Sequence, residues 1–372
     1  MDWDKPQVLD PVRGTDAKDT VFIFCINEVK LKRSNTGKMD MIESKSGLSA
    51  RDRMQRIFLF NESGDKWASR KRIIGGSHTN LLSLDDPKYP WAASIYRKIV
   101  SNTYNPAEFN LDRENRDFSA LSDLDRKIFM RTLSSLMIVE SVLFSNYEVI
   151  LPYFTSPEVI AAYSGLSFQE TLHADSYTQI AVHALPQNLR EPIYESWRTT
   201  EWFKSRNRII NDYFFSYIRE PIVENFLLNL IASAIVVGSI LPTEFAVIYA
   251  FSRHNRLIFT TNLVKYINRD INLQYELLVK TVTTILEENP QLQNDTFNSI
   301  SSDVIKELVR SETDFIHNVT EGMAPGLTDF ALTRFSQALA NREAKALNIA
   351  TLYPGISGSP IPWYDSLIEI KK

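Results

Sequence analysis

From Leu81 onward, apolar residues recur every three or four positions, which is the period of an α-helix that packs on one face. Ser122 precedes one such segment with Asp125 three residues later, a pattern typical of a helix N-terminus. Pro157 is expected in the first turn of the following helix. The pattern predicts an all-α helical bundle. Further helices are expected over residues 90–102, 191–215, 221–250, 260–288, 301–317 and 329–347.

Two stretches of this region lack the helical period. Residues 105–117 begin with Asn105-Pro106 and continue as an acidic stretch, which predicts a loop. Residues 353–364 contain several prolines and glycines, and we expect them to be irregular.

Residues 1–75 differ from the rest of the chain. Residues 20–26 and 56–60 are short β-prone runs, and the segments around them are polar and rich in lysine and serine. We therefore expect a short N-terminal extension with some β structure over residues 1–75 and a helical domain over residues 76–372. The extension is either a surface arm packed on the main domain or a docking or regulatory arm.

Composition and charge exclude several classes of protein. Hydrophobic residues make up 44% of the 372 positions, which is ordinary for a soluble globular protein with a large core. The net charge of −4 argues against a general nucleic-acid binder. The N-terminus lacks the pattern of a signal peptide, and Cys25 is the single cysteine, so a reducing compartment, the cytoplasm, is expected. The apolar run over residues 226–249 is interrupted by polar residues and predicts a buried core helix rather than a membrane span.

The candidate chemistry lies in the segment that follows Pro157. Glu170 and His173 are three residues apart and share a helix face, and Tyr177 lies one turn further along that face. A carboxylate and an imidazole at this spacing form one quarter of a dinuclear metal site in a four-helix bundle. The alternative is a core histidine bonded to a neighbouring carboxylate.

Several motifs in chain order give this sequence a family resemblance. Around the Glu170 segment they are Glu140-Ser141-Val142, Gly238-Ser239-Ile240, Asn268-Arg269-Asp270, Ala340-Asn341-Arg342 and Pro360-Ile361-Pro362-Trp363. Over roughly residues 80–365 the chain resembles the small, radical-generating subunit of class I ribonucleotide reductase.

The resemblance implies a ferritin-like helical bundle and a homodimer or a heterodimer with another small subunit. It also implies a large-subunit partner, with which the small subunit supports the conversion of ribonucleotides to deoxyribonucleotides for DNA synthesis. Position by position, Glu140, Glu170 and His173 match metal ligands, and Tyr177 matches the radical tyrosine. Asp270 and Tyr104 match relay positions for electron transfer, although the family usually has tryptophan where this chain has Tyr104.

Half of the expected ligand set is missing. Val237 and Ile271 stand where the family has glutamates, and Gln274 stands where it has a histidine. Aliphatic side chains coordinate nothing, and two cations need several hard anionic ligands. We therefore expect no dinuclear cluster, and either one weakly bound ion (Fe or Mn) or a metal-free radical. With no metal, at least one of Glu140 and Glu170 should have a raised pKa, unless an Arg or Lys side chain fills the vacancy.

Three functions are compatible with these departures. The first is a reductase small subunit with a degenerate metal site, and whether it generates a radical itself stays open. The second is a non-catalytic structural partner of a metal-competent small subunit. The third is a ferritin-like scaffold recruited to another binding role. The resemblance also implies a docking tail at the C-terminus, and here residues 1–75 are the candidate substitute.

Overall fold

A computed structural model describes residues 61–65, 72–356 and 358–368. Both β-prone runs, at residues 20–26 and 56–60, lie outside the described residues. The division into an extension over residues 1–75 and a helical domain over residues 76–372 stays a prediction.

Helices account for almost all regular structure in the described part of the chain, which confirms the all-α prediction. The strands β1 (Met323–Ala324) and β2 (Leu327–Thr328) form a short antiparallel hairpin. The helices are α1 (Pro90–Ser101), α2 (Glu114–Ser119), α3 (Asp123–Ile150), α4 (Pro157–Ala184), α5 (Gln187–Thr199), α6 (Glu201–Arg219), α7 (Val223–Ile235), α8 (Leu241–Arg253), α9 (Ile258–Glu288), α10 (Asp295–Thr320), α11 (Asp329–Ala346) and α12 (Trp363–Ile368).

Four long helical segments form the bundle that surrounds the candidate site. Helix α3 packs on α4 and α8, and α9 packs on α4, α7 and α8. Helices α10 and α11 pack against each other and cover α7 from outside. The interior of the bundle is lined by a continuous apolar core, and the predicted site residues of α3, α4 and α9 project into it.

Local signals fixed two of the helix starts. The Ser122 hydroxyl accepts a hydrogen bond from the backbone N–H of Asp125 at 3.1 Å, as the sequence predicted. Pro157 is the first residue of α4, where its missing N–H costs no helical hydrogen bond.

The predicted loop over residues 105–117 was wrong in its last part, because α2 begins at Glu114. The cause is a tertiary interaction. The Glu114 carboxylate accepts hydrogen bonds from the backbone N–H groups of Phe259 and Thr260 at 2.9 and 3.2 Å, so it caps the start of α9. Glu114 and Asp117 are therefore buried although a local pattern places acidic residues in solvent.

Two other expectations need correction. The helix expected over residues 191–215 is divided into α5 and α6, because Thr200 has an extended backbone (φ −104°, ψ 124°). The irregular C-terminal segment contains α12, whose Tyr364 is buried and packs on Phe335 with ring centroids 4.8 Å apart. That packing stabilises a short helix of six residues.

The apolar run at residues 221–250 consists of α7, a π-helical turn (Val236–Ile240) and α8. Two segments, Asp123–Tyr153 and Val223–Arg253, are long and apolar enough to cross a membrane by length and composition. The most apolar window of the second is 94% buried inside the protein. This burial is compatible with the predicted core helix.

The π-helical turn requires a glycine at position 238. A Cβ atom there would lie 2.8 Å from the Tyr275 ring and closer still to the Glu343 carboxylate. We expect Gly238→Ala to lower the free energy of unfolding by about 1–3 kcal/mol through overpacking. Chemical denaturation would measure it. In a Glu343→Ala background the same substitution should cost clearly less, and an equal cost in both backgrounds would contradict this explanation.

Candidate metal and radical centre

The first half of the candidate site is formed by α3 and α4. Glu170 and His173 lie on one face of α4, and Glu140 approaches them from α3. The His173 Nδ1 atom is 2.7 Å from Glu140 Oε2 and 3.9 Å from Glu170 Oε2. One ligand atom from each of the three residues lies within 4.8 Å of the other two, and all three side chains are buried.

The atoms that face one another here have no well-directed hydrogen bond. They are Glu140 Oε2, Glu170 Oε2 and both ring nitrogens of His173. The short His173–Glu140 approach is therefore a contact between charges whose angles do not suit a hydrogen bond. Buried polar atoms without partners are costly, and atoms of these types are the usual ligands of a metal ion.

Of the three positions where an expected ligand is missing, Gln274 contacts the centre directly. Val237, in the π-helical turn, and Ile271, on α9, are each 1% exposed and have aliphatic side chains. The Gln274 amide donates a hydrogen bond to Glu170 Oε1 at 2.7 Å and accepts one from the Tyr147 hydroxyl at 3.2 Å. The sequence analysis missed Tyr147. It lies seven residues after Glu140, two turns along the same face of α3, and that spacing could have indicated it.

Tyr177 lies one turn beyond His173 and is fully buried. Its hydroxyl donates a short hydrogen bond to Glu140 Oε1. Burial and then the charge of Glu140 raise the pKa of the Tyr177 phenol well above its usual range. The phenol is therefore neutral, and the carboxylate of Glu140 is the base within reach of its proton.

The two predicted relay residues lie beside this centre. Asp270 Oδ2 is 3.6 Å from His173 Nε2, and Asp270 Oδ1 accepts a hydrogen bond from Arg269 at 3.0 Å. The Tyr104 hydroxyl is hydrogen-bonded to Ser176 Oγ at 3.0 Å, next to Tyr177 in the chain.

A ring that the sequence analysis did not single out joins this group. The Tyr266 centroid is 5.4 Å from that of Tyr104, and the Arg269 guanidinium lies 5.0 Å above the Tyr266 ring. The structure thus connects His173 through Asp270 and Arg269 to a pair of tyrosines.

The charges of the centre balance internally. Burial and then the charge of Glu140 raise the pKa of Glu170 to about 8. Burial alone would lower the pKa of His173, but the charge of Glu140 and the polar contact with Asp270 overcome it and raise that pKa to about 10. Glu170 is therefore neutral because it holds a proton, and the positive charge of protonated His173 balances the carboxylate of Glu140. A raised carboxyl pKa was expected from the sequence.

Comparisons with known proteins show which family model, relatives and solved structures the chain is similar to. The family model described as ribonucleotide reductase, small chain, matches residues 82–360. The ribonucleoside-diphosphate reductase subunit beta of Treponema pallidum is 27% identical over 81% of this chain and 86% of its own length. That of Halalkalibacterium halodurans is 25% identical over 78% of this chain and 84% of its own length.

A solved structure, the ribonucleotide reductase R2 subunit from Clostridium botulinum, has a TM-score of 0.82. The two chains are 29% identical, and the match covers 86% of this chain and all of the other. This similarity confirms the predicted ferritin-like fold of the reductase small subunits.

The raised pKa of Glu170 predicts a pH effect on stability. Its proton is held in the folded state, so the stabilisation is complete below the unfolded pKa and is lost as pH rises towards about 8. In metal-free protein, Glu170→Gln should remove part of the fall in stability between pH about 5 and 5.5, where His173 is mostly protonated in both states. Thermal unfolding at a series of pH values measures this effect.

Glu148→Gln, an exposed glutamate on α3, is the matched control and should leave the pH profile unchanged. If Glu170→Gln had the same profile as the natural protein, the proton on Glu170 would be disproved.

Proposed function

Because the chain belongs to the small-subunit family of class I ribonucleotide reductases, we propose that it supports ribonucleotide reduction with a centre that holds no dinuclear metal cluster. The observation that carries this proposal is the side-chain amide of Gln274, which binds Glu170 Oε1 at 2.7 Å. Without this hydrogen bond, that oxygen would be available as a ligand for a second cation. Val237 and Ile271 have aliphatic side chains and offer no ligand atom.

A single ion fits the remaining residues better than a pair. Glu140, Glu170 and His173 offer three ligand atoms, and the atoms that face one another lack hydrogen-bond partners. Two carboxylates and an imidazole suit Fe or Mn. A bound ion would supply redox chemistry beside Tyr177. Glu140, Glu170 and His173 would bind it after releasing their protons.

Tyr177 is the proposed radical position, and Asp270 and Tyr104 are the proposed relay positions. The hydrogen bond from Tyr177 to Glu140 and the contact of Asp270 with His173 support these roles. Without a metal oxidant of its own, the chain would need an oxidant elsewhere in the reductase complex to form a radical at Tyr177.

The second candidate function is that of a non-catalytic partner of a metal-competent small subunit. The closed hydrogen-bond chain from Tyr147 through Gln274 to Glu170 favours it, because it stabilises the centre with side chains alone. We further propose a cytoplasmic location, the large subunit as partner, and a homodimer or heterodimer of small subunits. The net charge of −4 argues against nucleic acid as a partner.

Metal analysis tests the first part of the proposal. After purification and reconstitution with ferrous or manganous salt, we expect at most one ion per chain. The triple variant Val237→Glu, Ile271→Glu, Gln274→His should bind a second ion because it restores three ligands. His173→Ala, as control, should bind none. Two ions per chain in the natural protein would refute the proposal.

A reductase assay with the cognate large subunit separates the two functions. If the chain carries a radical, Tyr177→Phe should reduce turnover to background while binding to the large subunit is retained. Tyr163→Phe, a buried tyrosine of the same helix, is the matched control and should keep full turnover. Turnover that needs a metal-competent small subunit, and is unaffected by Tyr177→Phe, would support the partner role instead.

A further inference from the structure

A second group of buried charged residues lies away from the candidate centre, and the proposed function does not use it. Arg206 on α6 is 2% exposed, and Glu244 on α8 and Glu312 on α10 are both 0% exposed. Ser135 of α3 completes the group, which we call the Arg206 cluster. Each of its four residues comes from a different helix.

The contacts within the Arg206 cluster are short. Arg206 Nη1 donates to Glu244 Oε1 at 2.5 Å and to Glu312 Oε2 at 2.9 Å. Arg206 Nη2 donates to Ser135 Oγ at 2.5 Å, and Ser135 Oγ donates to Glu244 Oε1 at 2.7 Å. The guanidinium lies 3.7 Å from the centre of the Phe315 ring, which closes one face.

The two carboxyl groups are not equivalent. Glu244 accepts from two donors, Ser135 and Arg206, whereas Glu312 accepts from Arg206. Glu244 Oε2 and Glu312 Oε1 have no hydrogen-bond partner. A single guanidinium neutralises one carboxylate, and a second negative charge at full burial would be uncompensated.

We propose that Arg206, Glu244 and Glu312 form a charge-neutral site that holds one proton between the two carboxyl groups. The Arg206 guanidinium thereby joins α6 to α3, α8 and α10. The site is independent of any metal and of the proposed reductase function. It also fixes α3 at Ser135, one and a half turns before Glu140, so it positions the helix that carries that candidate ligand.

The electrostatics of the cluster agree with a retained proton. Burial and then the charge of Glu244 raise the pKa of Glu312 well above its usual range, and Arg206 only partly opposes this. Burial also raises the pKa of Glu244, against Arg206 and Ser135. The charged groups that act on the pair from the packed helices are Arg206 on α6 and Glu140 on α3. Because the carboxyl groups interact strongly, the proton belongs to the pair.

Infrared difference spectroscopy on the full-length protein at neutral pH tests for the proton directly. The natural protein should show the carbonyl stretch of a protonated carboxyl group, shifted in D2O. Protonated Glu170 and the buried Glu343, whose pKa is also raised, contribute to the same spectral region. Glu312→Gln should therefore remove one component of the band, because Glu244 then ionises and pairs with Arg206. Glu191→Gln, on the exposed part of α5, is the control and should keep the band. An unchanged spectrum in Glu312→Gln would overturn the proposal.

Thermal unfolding provides a second test that does not depend on spectroscopy. Glu312→Gln and Glu244→Gln should each fold, with the smaller fall in Tm for Glu312→Gln, since Glu244 keeps both donors. The double variant leaves Arg206 buried without an anion and should lose on the order of 10 °C more than the sum of the single variants. Single variants whose effects simply add up to that of the double variant would contradict a shared proton.

Discussion

Carboxylates buried inside this bundle are costly unless positive charge or hydrogen-bond donors match them, and this constraint accounts for the contacts of the candidate centre. Glu140 and Glu170 face the imidazole of His173, and Asp270 lies between His173 and Arg269. A buried ion without a partner would cost several kcal/mol, which is a large part of the stability of a whole domain.

The same constraint acts away from the centre. Glu114 is buried because the N-terminus of α9 supplies backbone N–H groups to it. Glu244 and Glu312 are buried because Arg206 lies between them. In a metal-free centre, the protons on Glu170 and His173 and the amide of Gln274 would serve this purpose. A metal ion bound by Glu140, Glu170 and His173 would replace those protons.

The sequence predicted much of this structure. The helical period and the caps at Ser122 and Pro157 gave the bundle, and the spacing of Glu170, His173 and Tyr177 gave one face of the centre. The resemblance identified Glu140 as a ligand position and Asp270 as a relay position, and the structure brings both beside His173. These features are local, or are repeated at matching positions of a known family.

Other features depend on contacts between distant segments, and no local pattern announces them. The capping of α9 by Glu114 joins segments that are about 145 residues apart in the chain. Gln274 was predicted as a lost ligand, but its bond to Glu170 and the support from Tyr147 follow from the positions of three helices. Arg206 lies in a polar helix, and its complete burial between two glutamates could be recognised only in three dimensions.

We propose that the centre holds no dinuclear cluster, because the Gln274 amide binds Glu170 where the family resemblance implies a ligand. Anomalous diffraction from crystals soaked in ferrous or manganous salt tests it most directly. The account predicts no more than one metal peak, bound by Glu140, Glu170 and His173, with the Gln274 amide still on Glu170. Two bridged metal peaks between α3, α4 and α9 would contradict it.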